Sequence, residues 1–267
     1  MKLGVIGCGK MGTALIQGAI RAGVVAAADV IGCDPYEKSR ESFAAATGAK
    51  VTLSVTELAA HSEVILLCTK PLDLAAALTD AAKMAAGAPR LVISIAAGVT
   101  LAALEASVSE NFRIIRAMPN TPALVGHGAA GYCLGTRATP ADAATAQALL
   151  GAVGLAIQVP ERLMDAVTGL SGSGPAYIYL VIEALADGGV RAGIPRADAV
   201  RLAAQTVLGS AAMVLETGEH PAVLKDMVTS PGGTTIAGLA VLERQGVRSA
   251  LIEAVHAAVE RAAELGK

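Results

Sequence analysis

The chain has 267 residues, a formal charge of −2, and hydrophobic side chains at 54% of positions against 16% charged. That is long enough for two modest domains with real cores, and the lack of any basic cluster argues against nucleic acid or an anionic membrane as partner. The apolar residues are dispersed Ala, Val, Leu and Ile rather than one unbroken span, so no transmembrane helix is expected. Met1–Ile6 is too short and too Gly-punctuated for a signal peptide, with Lys10 interrupting the apolar run, and the expected location is cytoplasmic. Trp is absent and aromatics make up only 2%, so the core must be aliphatic. Surplus apolar surface in such a chain points to a homo-oligomer.

Through residue 160, short apolar runs alternate with helical patterns. The expected strands are Lys2–Gly7, Val30–Cys33, Lys50–Leu53, Val64–Cys68, Leu91–Ile95, Arg113–Ala117, Ala129–Leu134 and Leu155–Val159. Between them lie helical stretches at Met11–Ala22, Glu37–Thr47, Leu72–Met84 and Pro140–Gly151. This alternation marks a Rossmann-type doubly wound α/β sheet. After Val159 the strand signals stop. Arg162–Gly169, Pro175–Ala192, Arg196–Thr217, Pro221–Val228, Thr234–Gln245 and Val247–Leu265 all read as helix, separated by Gly or Pro. The expectation is a dinucleotide-binding domain over residues 1–160 and an all-helical domain over 161–267.

Gly7-Cys8-Gly9-Lys10-Met11-Gly12 fits G-x-G-x-x-G, directly after the first strand and opening the first helix. The first Gly makes the turn, the second lets the backbone approach a pyrophosphate, and the third packs helix on strand. Asp34 closes the second strand, where an acid can bind the adenosine ribose and favour NADH; its other reading is a cap for the next helix. Lys38 and Arg40 follow closely and can offset repulsion of a 2′-phosphate, so the cofactor is NADPH or NADH. Cys68-Thr69-Lys70-Pro71 and Ser94-Ile95-Ala96-Ala97-Gly98 end the fourth and fifth strands, at the carboxyl ends where a ligand lies in such folds. Cys8, Cys33, Cys68 and Cys133 are widely spaced with no C-x-x-C pair, which supports neither a metal site nor a disulfide framework. They read as small buried filler.

Far downstream, Ser230-Pro231-Gly232-Gly233-Thr234-Thr235 precedes an amphipathic helix. Backbone N–H groups at a helix start favour an anion, and three hydroxyls add uncharged donors and acceptors. This is a pocket for a small carboxylate with a second polar atom; the plainer alternative is a tight turn in which Thr234 caps the helix. Carbonyl reduction calls for a proton donor in the pocket, yet no lysine occurs between Pro175 and Leu224. Tyr177 is available but suits packing equally well. A cyclic imine binds already protonated and needs only orientation, an anion site and a hydroxyl near nitrogen.

Ser171-Gly172-Ser173-Gly174-Pro175-Ala176-Tyr177, followed by Glu183–Pro195, resembles the signature of pyrroline-5-carboxylate reductases. His220-Pro221, Leu224-Lys225-Asp226, Ser230–Thr235, Ala96–Thr100 and Asn120-Thr121-Pro122 are similar to that family as well. The resemblance implies NAD(P)H-dependent reduction of 1-pyrroline-5-carboxylate to L-proline, the last step of proline biosynthesis. It also implies a helical domain that interlocks two protomers, with dimers assembling into larger rings. By position, Ile6, Gly7, Cys8, Gly9, Lys10, Met11, Cys68, Thr69, Lys70 and Pro71 would line the cofactor. Ser230, Gly233, Thr234 and Thr235 would hold the substrate, with Thr235 nearest the ring nitrogen and catalytic. Asp34 departs from the family, where a small or amide residue is common at that position. A β-hydroxyacid dehydrogenase shares the layout but uses a lysine on the long helix after the domain junction, and this chain has none there. A nucleotide-sensing scaffold without turnover is the reading from another class; the intact Ser230–Thr235 turn argues against it.

Overall fold

The computed structural model describes residues 1–69 and 89–266. Leu3–Ile6 (β1) is buried along its whole length, as a central parallel strand covered on both faces must be. It is followed by Val30–Cys33 (β2), Lys50–Thr52 (β3), Val64–Leu67 (β4), Arg90–Ser94 (β5), Phe112–Met118 (β6), Gly128–Leu134 (β7) and Gly154–Gln158 (β8). Among the described residues they form one sheet in the order β3-β2-β1-β4-β5-β6-β7-β8. Every neighbouring pair is parallel except β6 and β7. The Rossmann-type fold expected from the sequence is therefore present. Strand order reverses between β1 and β4, which opens a crevice at their carboxyl ends.

Helices cover both faces. Lys10–Arg21 (α1), Glu37–Thr47 (α2) and Pro140–Gly151 lie among the expected elements, whereas Val55–His61 (α3) and Leu101–Ala106 (α4) are additional; Pro140–Gly151 is accordingly α5. One core places Leu15, Ile16 and Ala19 of α1 with Leu149 and Leu150 of α5 against Ile115 and Ala117 of β6. The other packs Leu58 of α3 and Leu104 of α4 against Ile65, Leu67, Val92 and Ile114. Full burial of one such side chain contributes about 1.5–3 kcal/mol. The expected helix Leu72–Met84 lies outside the described residues.

The chain separates into two compact units, Met1–Ser173 with Ala257–Lys267, and Gly174–His256. The expected single helix over Arg162–Gly169 needs correction. That stretch is a 3₁₀ turn at Glu161–Leu163, one α-turn at Met164–Val167 and a π-helical turn at Thr168–Gly172. Thr168 and Ser171 bond back to the carbonyls of Met164 and Val167, and the Ser173 N–H reaches five residues back to Thr168. Such local bonds widen a helix.

The second unit holds Gly174–Arg191 (α6), Arg196–Thr217 (α7), Pro221–Met227 (α8) and Thr234–Arg244 (α9); the last helix is Val247–Leu265 (α10). The buried core of this unit is Ala186, Ala199 and Ala203, with Ile182 and Val190 packed alongside. Leu180, Leu202, Leu208 and Leu215 remain half or more exposed.

Candidate functional site

The glycine-rich loop runs from β1 into α1. Gly7 sits at φ +101°, and a Cβ there would lie 2.7 Å from the Cys68 carbonyl carbon and oxygen. Only glycine meets both demands. A Cβ on Gly12 would lie 2.5 Å from the Gly7 carbonyl oxygen, so helix and turn are in close approach. Gly9 has open space above it. It is the N-cap of α1 with no side-chain cap, and the N–H groups of Lys10, Met11 and Gly12 have no acceptor among the described residues. Three unpaired donors around an open glycine form an anion cradle.

The loop is anchored by Asp34. Its Oδ2 accepts the Cys8 N–H at 2.9 Å and its Oδ1 the Tyr36 N–H at 2.9 Å, and the residue is only 8% exposed. The N-cap of α2 is Tyr36 and carries no side-chain cap, so Asp34 does not cap that helix. Arg40 donates to the carbonyls of Asp34 and Pro35 at 2.7 and 3.1 Å. These contacts fix the carboxyl end of β2 beside the loop.

At the end of β4, the Cys68 N–H bonds the Ile6 carbonyl at 2.7 Å, which brings Cys68 and Thr69 against Gly7. The Thr69 hydroxyl is buried with no hydrogen-bond partner among the described residues. A buried hydroxyl without a partner costs about 1–3 kcal/mol, so its place beside the loop calls for a polar group there. Open Gly9, the free N–H groups and this hydroxyl together fit a dinucleotide. Lys70 and Pro71 lie outside the described residues. Ala96 is buried after β5 and Ala97 exposed; the following Gly98 has φ +76° and lies against the last turn of α10, where a Cβ would be 3.4 Å from the Leu265 oxygen.

The four thiols are free. Burial, reinforced by Asp34, pushes Cys8 up to about 12, and burial pushes Cys133 up to about 11. Cys33 and Cys68 are also raised, burial first. They stay protonated at neutral pH and supply no nucleophile.

Two motifs that look separate in the sequence meet at Asn120. Its amide nitrogen donates to the Ser171 carbonyl at 3.0 Å, and its Oδ1 accepts the Ala129 N–H at 2.8 Å. Gly172 packs against Met118, where a Cβ would be 2.8 Å from the thioether methyl. Buried Arg116 pairs with Glu161 at 3.3 Å and Asp165 at 3.4 Å, while Glu161 accepts the Leu101 N–H at 2.6 Å. Sequence reading missed this brace between β6, the loop after β5 and the segment past Pro160. Its one visible sign was an arginine inside an apolar strand.

In the second unit, Ser230–Gly233 is a turn with Gly232 at φ +67°, closed by the Gly233 N–H bonding the Ser230 carbonyl at 3.1 Å. Gly233 N–H is thus engaged, and the unpaired donors are those of Thr234, Thr235 and Ile236. Gly233 is the N-cap and no side chain caps α9, so Thr234 is not a cap. A Cβ on Gly233 would lie 2.3 Å from the Ser230 hydroxyl, which therefore overhangs it. The hydroxyls of Ser230, Thr234 and Thr235 make no hydrogen bond to any described residue. No cluster of possible metal ligands occurs among the described residues, and no helix there is long and apolar enough to cross a membrane.

Comparison with known proteins places the chain in a family. Residues 161–265 match the family model for pyrroline-5-carboxylate reductase dimerisation, and residues 2–98 that for NADP oxidoreductase, coenzyme F420-dependent. A pyrroline-5-carboxylate reductase of Methanosarcina acetivorans is 50% identical over 266 residues, covering 100% of this chain and 98% of its own. The structure of a pyrroline-5-carboxylate reductase from Coxiella burnetii superimposes with a TM-score of 0.94 at 35% identity, covering 100% of this chain and 98% of that one. The Plasmodium falciparum pyrroline carboxylate reductase with NADP bound gives 0.88 at 34% identity, with the same coverage. With half its residues shared along the full length, this chain belongs to the pyrroline-5-carboxylate reductase family of NAD(P)-dependent oxidoreductases.

Proposed function

We propose that the chain reduces 1-pyrroline-5-carboxylate to L-proline with the coenzyme held by the first unit and the substrate by the Ser230–Thr235 turn of the second. The observation that carries the substrate assignment is the turn itself: within the seven residues Ser230–Ile236, three N–H groups and three hydroxyls have no partner among the described residues. The N–H groups of Thr234 and Thr235 take the substrate carboxylate, with the helix start favouring its charge. The missing side chain of Gly233 leaves room for the Ser230 hydroxyl, which overhangs it and adds a further donor. The Thr235 hydroxyl oxygen accepts a hydrogen bond from the protonated ring N–H and holds the imine in one orientation. Reduction of a protonated imine yields the amine directly, so this turn needs no general acid.

For the coenzyme, Gly9 and the Lys10–Gly12 N–H groups hold the pyrophosphate. Ile6, Gly7, Cys8, Asp34 and Thr69 shape the adjoining walls, Lys70 and Pro71 continue from Thr69, and Ala96 and Ala97 flank the nicotinamide. The reduced nicotinamide of NADPH or NADH supplies the hydride. The division of labour follows a domain boundary at residues 160/161. The enzyme works in the cytoplasm as a homodimer joined through its helical part, and dimers assemble further into rings.

The test is coenzyme oxidation by the purified protein with 1-pyrroline-5-carboxylate, in parallel with NADPH and NADH, and chiral analysis of the product. L-Proline formed in proportion to coenzyme consumed is the expected result. A folded protein that turns over neither coenzyme with this substrate contradicts the proposal.

A further inference from the structure

The carboxyl end of β6 holds two neighbours in place. Arg116 is only 6% exposed within an otherwise apolar strand, and its guanidinium meets Glu161 through Nη1 at 3.3 Å and Asp165 through Nη2 at 3.4 Å. A buried cation is costly unless it is paired. Glu161 then extends the hold, because its Oε1 also accepts the Leu101 N–H at 2.6 Å. Leu101 closes the loop that leaves β5 at Ile95, whose own N–H bonds the Leu67 carbonyl at 3.0 Å. Ala96–Thr100 is thus fastened to the sheet at one end and, through Glu161, to Arg116 at the other.

Asn120, just past β6, acts on the π-helical turn. In a regular α-helix the Ser171 carbonyl would take the N–H four residues on, but residue 175 is proline and has none. The Asn120 amide supplies the missing donor at 3.0 Å, while its Oδ1 takes the Ala129 N–H of β7 at 2.8 Å. Gly172 lies against the Met118 thioether methyl with no room for a side chain between them. Asp165, just ahead of the same turn, is held by Arg116. The loop after β5 and the turn at Thr168–Gly172 therefore share one support.

On the coenzyme reading given above, in which Ala96 and Ala97 flank the nicotinamide, we propose that Arg116 and Asn120 are positioning residues for hydride transfer. They fix that loop against the π-helical turn, and with it the place of the nicotinamide ring. The grip on the rest of the coenzyme belongs to the glycine loop, which shares no hydrogen bond with this brace among the described residues. Arginine suits the task because its planar fork reaches two acids at once, which a single ammonium does not. A reacting atom misplaced by about 1 Å can cost about 10²-fold in rate, so a small slackening of the loop is enough to be seen.

Single-turnover oxidation of the coenzyme that wild type turns over faster, at saturating 1-pyrroline-5-carboxylate, separates positioning from a merely structural role. Partial unfolding lowers the amplitude, whereas misplacement lowers the rate constant. Arg116→Gln should lower the rate constant about tenfold or more, with the coenzyme dissociation constant within about twofold of wild type. Arg116→Lys, which keeps the charge but reaches one acid, should fall between. Glu161→Ala frees the Leu101 N–H from a partly exposed position and should reproduce the loss; it carries the test if Arg116→Gln does not fold. The double variant should be no slower than the slower single, because both act along one path. Asn120→Asp keeps the acceptor for Ala129, loses the donor to Ser171, and should slow the step as well. Rate constants within about twofold of wild type in the folded Arg116, Glu161 and Asn120 variants, or coenzyme affinity lost in step with rate, overturn the proposal. Wild-type protein that oxidises neither coenzyme overturns the functional reading itself, and the proposal with it.

Discussion

The nucleotide-binding unit carries its own interior, and the helical unit does not. In the first, Phe43, Phe112, Leu15, Ile65 and Leu67 lie below 2% exposure between a sheet and the helices on its two faces. In the second, three alanines make the buried core, while leucines along α6 and α7 stand in the open. Both regions are rich in the same aliphatic residues, so composition does not separate them. What differs is periodicity. Strands with short connections close a layer over each face, whereas α6 and α7 carry Ala, Val and Leu around most of their circumference. A helix apolar nearly all round must be covered, and its own unit has too little interior to do it. Residues 161–265 match the family's dimerisation model, which supports a homodimer joined through this region.

The largest expected effect bears on that contrast. A fragment from Glu161 to the C-terminus should sediment as a dimer at micromolar concentration, since its exposed leucines have no other shelter. A stable monomeric fragment would show that the helical part closes its own core. The converse disturbance belongs to the first unit. Gly7→Ala puts a Cβ into the Cys68 carbonyl at a backbone angle that L-residues avoid, so coenzyme affinity should fall by roughly tenfold or more, at a cost of 1–3 kcal/mol for the strain alone. The assembly state should stay unchanged. Equilibrium binding and sedimentation on one sample would read both.

A smaller effect is expected at the pair Arg113–Asp142, where two bonds of 2.8 and 3.0 Å join β6 to the start of α5. Burial raises the Asp142 carboxyl, but the Arg113 and Thr139 bonds outweigh it and hold it below the ordinary value. A lowered carboxyl contributes its full stability above the unfolded value of about 3.9, and loses it as pH falls through the lower folded value. Urea midpoints of wild type and Asp142→Asn should therefore differ at pH 6 and converge toward pH 2–3. A gap that stays constant across that range would mean the charge adds nothing.

The same contrast decides what the sequence could disclose. Strands were legible because apolar runs such as Val64–Leu67 and Leu91–Ser94 are long enough to register and end at polar or small residues. The glycine loop was legible because the positive φ of Gly7 and the close approach at Gly12 select residue type directly. Helices α3 and α4 are seven and six residues long, too short for an amphipathic period; only their caps at Ser54 and Thr100 announce them. Arg162–Gly169 looked continuous because side-chain bonds from Thr168 and Ser171 to the preceding turn do not alter the hydrophobic pattern. The direction of Asp34 was illegible for a different reason. It depends on a Cys8 N–H twenty-six positions away, and the bracing of Arg116 by Glu161 and Asp165 spans still greater separations. Long-range polar pairing leaves no local trace.

The central claim is that the turn opening α9 holds the substrate through the Thr235 hydroxyl, while the first unit holds the coenzyme independently. Thr235→Val keeps the branched volume and removes the hydroxyl. Losing one well-placed hydrogen bond in a closed site costs on the order of 2–4 kcal/mol, so kcat/KM for 1-pyrroline-5-carboxylate should drop by about 10²-fold or more. Thr234→Val should be milder, because Thr234 contributes mainly its backbone N–H. The most direct measurement pairs steady-state reduction by Thr235→Val with its coenzyme dissociation constant: turnover should collapse with coenzyme affinity unchanged. Near-normal turnover, or a parallel loss of coenzyme binding, would contradict the account.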